Sequence, residues 1–279
     1  MAGLPTRLRS QLAAHGLAPT RRLGQNFLID AQALAVIVAA LDAAPGERVV
    51  EVGPGTGLLT EGLLAAGCTV LAVEIDAGLV RLLAQEQEHP QLTVVHGDCL
   101  AGKNALHPAI VAFAREPWSL CANLPYDVSI PVLLNALCLP RPPRRMVVTV
   151  QLEAARRLCA GPGEPAWGAS AAVAAASGTG RILRRLPPGC FHPRPRVESA
   201  VLEWRVERAV PAAFGRMCRD LFAFRRKQLS RALRDCKHAA DSAYALCGHA
   251  GLDPQQRVER LTVDQLLALH AAWTEMEAE

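Results

Sequence analysis

Apolar residues in this chain collect into short runs: Arg48 to Val52, Thr69 to Val73, Leu92 to Val95, Ser119 to Ala122 and Met146 to Val150. Each has the length of a buried strand. Between the first of them lie segments that predict helices. Ala31 to Leu41 follows Asp30, a suitable N-cap. Leu58 to Ala66 ends at Gly67, and a third helix runs from Ala77 to about Glu88. Pro45-Gly46 marks a turn. Strands alternating with helices predict an α/β fold, a mostly parallel sheet with helices on both faces. From about Arg205 onward only helical patterns remain: Ala212 to Arg234, Ser242 to Ala250 and Val263 to Thr274. The expected organisation is therefore an α/β domain over 1–205 and a small all-helical domain over 206–279. Residues 1–30 read as a basic, mixed segment, and no internal repeat is visible.

The chemically suggestive residues fall at the C-terminal ends of the expected strands, where open α/β sheets bind ligands. The first strand runs into Gly53-Pro54-Gly55-Thr56-Gly57. Glycine suits a tight turn on which a ligand must lie close to the backbone. A dinucleotide fingerprint would need glycine at position 58, which is Leu58. The G-x-G-x-G spacing instead resembles the first motif of S-adenosylmethionine-dependent methyltransferases. Gly53 and Gly55 are the candidate contacts to that cofactor. Glu74 ends the next strand, 21 residues after Gly53, and is placed to accept hydrogen bonds from ribose hydroxyls. Asp98 ends the third strand and is placed to accept from an adenine amine.

Asn123-Leu124-Pro125-Tyr126 follows the fourth strand. The exocyclic nitrogen of adenine is a poor nucleophile, because its lone pair is delocalised into the ring. Acceptors for its two N–H protons would leave that lone pair aimed at a methyl donor. The Asn123 side-chain oxygen and a backbone carbonyl of Leu124 or Pro125 can serve, with Pro125 fixing the turn. Tyr126 offers a flat face on which a base can stack. Positioning supplies most of the effect, and no strong general base is needed.

Several further segments stand in a fixed order with these: Gly24-Gln25-Asn26-Phe27-Leu28, Val73 to Asp76, Gly97-Asp98, Phe191 to Val197 with Ser199-Ala200-Val201, and Phe224-Arg225-Arg226-Lys227. Together they resemble the ribosomal RNA small-subunit adenine dimethyltransferase family (KsgA type) along almost the whole chain. The resemblance implies a Rossmann-like domain that uses S-adenosylmethionine, without a metal. The reaction would place two methyl groups on each of two adjacent adenosines in a hairpin loop near the 3′ end of small-subunit rRNA, during subunit biogenesis. Asn26, Leu28, Gly53, Glu74, Asp98 and Asn123 would then contact the cofactor, and Phe191 would pack on the face of a flipped adenine opposite Tyr126. The rival readings are a large-subunit rRNA adenine methyltransferase of the antibiotic-resistance type, and an rRNA-binding assembly factor whose role does not depend on methylation. The chain departs from the family pattern at Leu23, Asp127, Leu152, Trp167 and the alanine-rich run Ala169 to Ala176.

Charge adds the partner. The net charge of +4 is modest, but eight basic residues and only Asp220 and Asp235 of opposite sign lie between Arg216 and Lys237. Lys227, Arg231 and Arg234 recur at helical spacing. In a chain with a base-methylating motif, this predicts phosphate contacts by Arg225, Arg226, Lys227, Arg231 and Arg234. Arg7, Arg9, Arg21 and Arg22 extend the basic character. Hydrophobic residues make up 51%, enough for a full core, yet no apolar run is long enough for a membrane span. The nine cysteines are scattered, with no C-x-x-C pair, as expected of reduced thiols in the cytoplasm. The expected partner is small-subunit rRNA in a pre-assembled subunit, bound by a monomer.

Overall fold

The Asp30 carboxylate accepts a hydrogen bond from the Ala33 amide at 2.7 Å, so the first core helix starts where its capping residue stands. In the computed structural model, which describes residues 3–102, 104–236 and 240–278, the elements up to that helix are α1 (Leu4–Ala14), β1 (Phe27–Leu28) and α2 (Ala31–Leu41). The alternating region follows as β2 (Arg48–Val52), α3 (Leu58–Ala65), β3 (Thr69–Glu74), α4 (Ala77–Glu86), β4 (Leu92–His96), α5 (Pro108–Phe113), β5 (Trp118–Asn123), α6 (Tyr126–Leu137) and β6 (Arg145–Gln151). Then come α7 (Leu152–Leu158), α8 (Ala169–Ser177), β7 (Gly178–Leu186), β8 (Phe191–His192) and β9 (Ser199–Val206). The chain closes with α9 (Ala212–Phe222), α10 (Leu229–Asp235), α11 (Ala240–His249) and α12 (Val263–Ala278).

These elements form two compact units. One comprises Met1–Ala136, Arg141–Ala155 and Gly180–Val206; the other comprises Leu137–Pro140, Arg156–Thr179 and Glu207–Glu279.

The first unit is built on a seven-stranded sheet of order β4-β3-β2-β5-β6-β9-β7. Neighbours from β4 through β6 run parallel, and β9 is antiparallel to β6 with Met146 opposite Trp204. The parallel strands are valine-rich rather than alternating because helices flank the sheet; Val49, Val50, Val70, Val73, Leu120 and Val147 are all buried. From β2 the chain steps outward to β3 and β4, then crosses back to β5 on the other side. Loops leaving β2 and β5 therefore diverge and open a crevice at the C-terminal edge. The N-terminal segment, which the pattern of residues did not resolve into elements, contains α1. Leu8 and Leu12 pack with Phe27 and Leu79, and Arg7 makes a two-pronged ion pair with Glu61.

In the second unit α8 packs on α9, and α12 on both. The alanine-rich run is α8 itself, with Ala171, Ala172 and Ala174 buried. Trp167 is fully buried with its ring edge-on to Phe222 at 6.0 Å, so this departure from the family pattern is a packing residue. One expected helix is corrected. Ala212 to Arg234 is not continuous: α9 stops at Phe222, and α10 begins at Leu229. Distant hydrogen-bond partners win over helix propagation here. Leu229 N donates to Gln256 O, Ser230 N to Pro254 O, and Glu259 N to Arg225 O. Lys227 thus precedes α10 rather than sharing its face, and Lys237 lies outside the described residues. No helix among the described residues is long and apolar enough to cross a membrane.

Candidate active site

The crevice at the switch between β2 and β5 is a single cavity lined by all the residues assigned above to cofactor and base: Asn26, Leu28, Gly53, Gly55, Glu74, Asp98, Asn123 to Tyr126 and Phe191. They reach it from six separate segments. Gly55 holds φ at +62°, and a Cβ there would sit 2.9 Å from the Phe27 ring. A side chain at this position would be strained and would also displace the segment that closes the cavity.

Glu74, 5% exposed, braces the glycine turn. Its Oε2 accepts from Gly55 N at 3.2 Å, and its Oε1 from Asp76 N at 2.9 Å. Burial pushes its pKa up, while these two amides pull the other way. Each oxygen keeps a lone pair for a further donor. Asp98 is exposed at the rim, where its Oδ1 accepts from Leu100 N at 2.9 Å.

Asn123 ends β5 and donates from Nδ2 to the Asn26 carbonyl at 2.8 Å. That bond fixes the amide and leaves Oδ1 as its acceptor for the cavity. Of the two candidate carbonyls, the Pro125 oxygen already accepts from Val128 N at 3.3 Å as α6 begins. Among the described residues no backbone amide donates to Leu124 O, while Leu124 N is held by Thr149 O at 3.2 Å. The Tyr126 hydroxyl shares a hydrogen bond of 2.7 Å with Ser199 Oγ, which locks the ring, and burial raises its pKa. Phe191 pairs with Leu28 across β1 and β8 and is only 2% exposed, packed in the core with Leu28 and Ile37. It also lines the cavity.

Two residues of this cavity carry roles that the motifs did not reveal. Gln25 donates from Nε2 to Asp76 Oδ2 at 3.0 Å and accepts Thr20 N at 2.7 Å, tying the segment around Asn26 to the N-cap of α4. Glu51 on β2 is 1% exposed and accepts from Thr60 Oγ1 at 2.7 Å. Burial pushes its pKa up to about 8. The only signal for it in the chain is a carboxylate inside an otherwise apolar strand.

A second hollow lies wholly in the helical unit. Arg226, Lys227, Arg231, Arg234 and Arg257 line it, with Asp235 opposite. Lys227 pairs with Asp235 at 2.7 Å. Arg257 enters because its backbone bridges to Gln228, a neighbour no local spacing could identify. Arg225 stands apart: its guanidinium donates to Pro165 O at 3.0 Å and Trp167 O at 3.3 Å. Among the described residues no cluster of three or more side chains suits a metal ion.

The fold is shared with solved transferases. It superposes with a TM-score of 0.73 on a dimethyladenosine transferase from Plasmodium falciparum, at 18% identity over 89% of this chain and 97% of that one. With the 23S rRNA methyltransferase ErmE the TM-score is 0.63, at 26% identity over 88% and 99%. The first unit is thus a Rossmann-like methyltransferase fold. The family model for ribosomal RNA adenine dimethylase matches residues 18–274. Ribosomal RNA small subunit methyltransferase A of Deinococcus radiodurans is 38% identical over 271 residues, covering 96% of this chain and 90% of its own. The protein of the same name from Phenylobacterium zucineum is 39% identical over 276 residues, covering 97% and 93%. The chain belongs to the ribosomal RNA adenine dimethylase family.

Proposed function

We propose that the cavity at the β2–β5 switch holds S-adenosylmethionine and a flipped adenine of small-subunit rRNA. Membership of the family, together with small-subunit relatives matched over nearly the full chain, makes the protein an rRNA adenine dimethyltransferase of small-subunit biogenesis. The large-subunit alternative is not favoured. The observation that carries the site assignment is the fixed Asn123 amide beside the Leu124 carbonyl, two acceptors at one strand end.

The residues present fit the cofactor. Glu74 offers both oxygens to a ribose diol, Asp98 accepts an adenine amine at the rim, and Gly53 and Gly55 let the ligand lie on the backbone. Asn26 and Leu28 close the cavity. The cofactor would supply an electrophilic methyl group on a sulfonium. Asn123 Oδ1 and Leu124 O accept the two N–H protons of the target amine and turn its lone pair toward that methyl. Tyr126 stacks on the base, and Phe191 bounds its other face. Arg226, Lys227, Arg231 and Arg234 bind RNA phosphates, and Arg225 holds the scaffold beneath them. We assign the cofactor site to the first unit, the α/β domain expected over 1–205, and the RNA contacts to the 206–279 part of the second unit, which also takes in Arg156–Thr179. The protein acts as a cytoplasmic monomer on a pre-assembled small subunit.

Methyl transfer from labelled cofactor to unmethylated small subunits, set against large-subunit RNA, tests this reading. Label on paired adenosines of the small subunit is expected. Label on large-subunit RNA would restore the resistance-type alternative. Tight binding of small subunits without any label would leave an assembly factor.

A further inference from the structure

Glu203 is a buried acid with more counter-ions than it needs. It stands on β9 and is 2% exposed. Three guanidiniums converge on its carboxylate: Arg181 Nε from β7 at 2.6 Å, Arg205 Nε from β9 itself at 3.2 Å, and Arg145 Nη1 from β6 at 3.6 Å. Burial would push the Glu203 pKa up, but the bonds from Arg181 and Arg205 outweigh it and hold the group below the usual carboxylate range. Arg145 is the inner member. Its side chain is 13% exposed, and it also donates to Ala40 O at 2.7 Å and to Asp42 Oδ2 at 3.3 Å. The other two face solvent, with side chains 66% and 58% exposed. With Asp42 included, three positive charges stand against two negative ones.

The two outer arginines are held in the same way. Each uses its Nε–H on Glu203, and among the described residues no hydrogen bond holds their Nη groups. The Nη pair is the end of the guanidinium fork, which can meet a phosphate through two parallel bonds. The backbone beneath is stiff. β9 pairs with β6 from Ser199 to Arg205, and Trp204 packs so closely on Gly180 that a Cβ there would not fit, which seats β7 beside β9. Two long side chains are thus pinned at Nε before any ligand arrives, so less freedom is lost on binding.

The pair lies far from the chemistry. Ser199, bonded to Tyr126, marks the cavity end of β9, and Arg205 is six residues further along, about 20 Å at the rise of a strand. A contact there cannot read the target base; it can only hold the polymer that carries it. Resting on the RNA-substrate reading above, we propose that Arg181 and Arg205, anchored by Glu203, form a phosphate-binding pair at the sheet edge remote from the cavity and grip the backbone of the substrate RNA. RNA offers a phosphate at every nucleotide, so the pair has no sequence to read. Its effect is on affinity and on the orientation of the RNA over the catalytic unit. It is separate from the basic hollow, which lies in the other unit.

Glutamine isolates the Nη groups. Its Nε2 stands as many bonds from the backbone as the arginine Nε, so Arg181→Gln and Arg205→Gln can still donate to Glu203 while losing the fork and the charge. Binding to unmethylated small subunits and to protein-free small-subunit rRNA is measured across salt, with thermal melting to establish folding. The double variant should flatten the slope of log affinity against log salt by about 1.4–1.8 on both RNAs, which is two phosphate contacts. S-Adenosylmethionine affinity should stay at the wild-type value. Each single variant should show about half that change, and these decide the matter if the double variant does not fold. Wild-type slopes in folded variants overturn the proposal and leave the arginines as counter-ions of Glu203. A flatter slope on subunits with none on protein-free rRNA also overturns it, in favour of an acidic protein of the subunit. Failure of the wild-type protein to bind either RNA overturns the RNA-substrate reading itself.

Discussion

The cavity of the first unit and the basic hollow of the second use opposite physics. The cavity is lined by glycine, apolar residues, acids and amides, with Arg22 also on its wall, and fixes several of its polar groups by named partners: Asn123 by Asn26, Glu74 by Gly55 and Asp76, Tyr126 by Ser199. Its contacts are short and oriented. The hollow is open, its cations Arg226, Arg231, Arg234 and Arg257 all exposed, and its attraction is long-ranged and screened. Geometry that must aim a lone pair belongs in the first kind of site. Affinity for a large polyanion belongs in the second. Substitutions in the cavity should therefore act on rate and cofactor affinity, and those in the hollow on RNA affinity and its salt dependence.

The largest expected effect is on rate. Asn123→Ala removes the fixed amide while leaving β5 paired with β6. Loss of one oriented contact in a transition state costs ~10²-fold or more. Methylation by the folded variant should drop by at least that factor, with RNA affinity and its salt dependence unchanged. A folded variant working near the wild-type rate would remove the tetrapeptide from the chemistry.

Next is cofactor affinity. Glu74→Ala deletes a charge-assisted acceptor worth about 1.5–3 kcal/mol, roughly ten- to a hundredfold in Kd. It also unties Gly55 N and Asp76 N. Glu74→Gln separates the two effects, because an amide oxygen can still accept one of those bonds. Calorimetry should show Gln between wild type and Ala. Wild-type affinity in both would make Glu74 a structural brace and place the ribose elsewhere.

The two regions also differ in how much of them a reader of the chain can foresee, for a physical reason. The cavity is assembled from strand ends, and strand ends are marked locally: β2 by its valines and by glycines with positive φ, α2 and α4 by the capping carboxylates of Asp30 and Asp76. The parallel order then brings those ends together with little freedom. What escaped notice there was not position but environment. Glu51 sits in a run whose apolar neighbours show that the strand is buried, yet nothing local says that its carboxyl is met there by the Thr60 hydroxyl. In the hollow, local marks mislead. The spacing of Lys227, Arg231 and Arg234 suggests one continuous helix, but amides of Leu229 and Ser230 find acceptors in the 254–256 segment, and the helix breaks. Arg257 joins the cluster through that same long-range pairing, and Arg225 leaves it for two carbonyls. Tertiary hydrogen bonds between segments far apart in sequence decide both. Likewise α1 is held by contacts from Leu8 and Leu12 to Phe27 and Leu79 rather than by a strong apolar stripe of its own.

The smallest effect per residue is expected among these arginines, and it gives the sharpest division between Arg231 and Arg225. Both lie in the basic run and would be treated alike by charge counting. Arg231 lines the hollow and is exposed, so a phosphate bound there releases counterions. Arg231→Ala should shrink the slope of log affinity against log salt by about 0.7–0.9, a loss that fades as salt rises. Arg225 has its Nη1 on Pro165 O and Trp167 O, beside the buried Trp167–Phe222 pair. Arg225→Ala leaves those carbonyls short of a donor, and a charge-assisted bond is worth about 1.5–3 kcal/mol. It should lower the melting temperature of the protein and leave the salt slope near wild type. Salt-dependent RNA binding and thermal melting of both variants decide the matter. Equal changes in slope would mean that Arg225 gives up its carbonyls to meet RNA, and that the hollow extends to its side of the turn. An unchanged slope in Arg231→Ala, with Lys227, Arg234 and Arg257 behaving likewise, would return the hollow to a solvated surface and move the RNA-binding face elsewhere, to Arg21, Arg22 and the basic N-terminal segment.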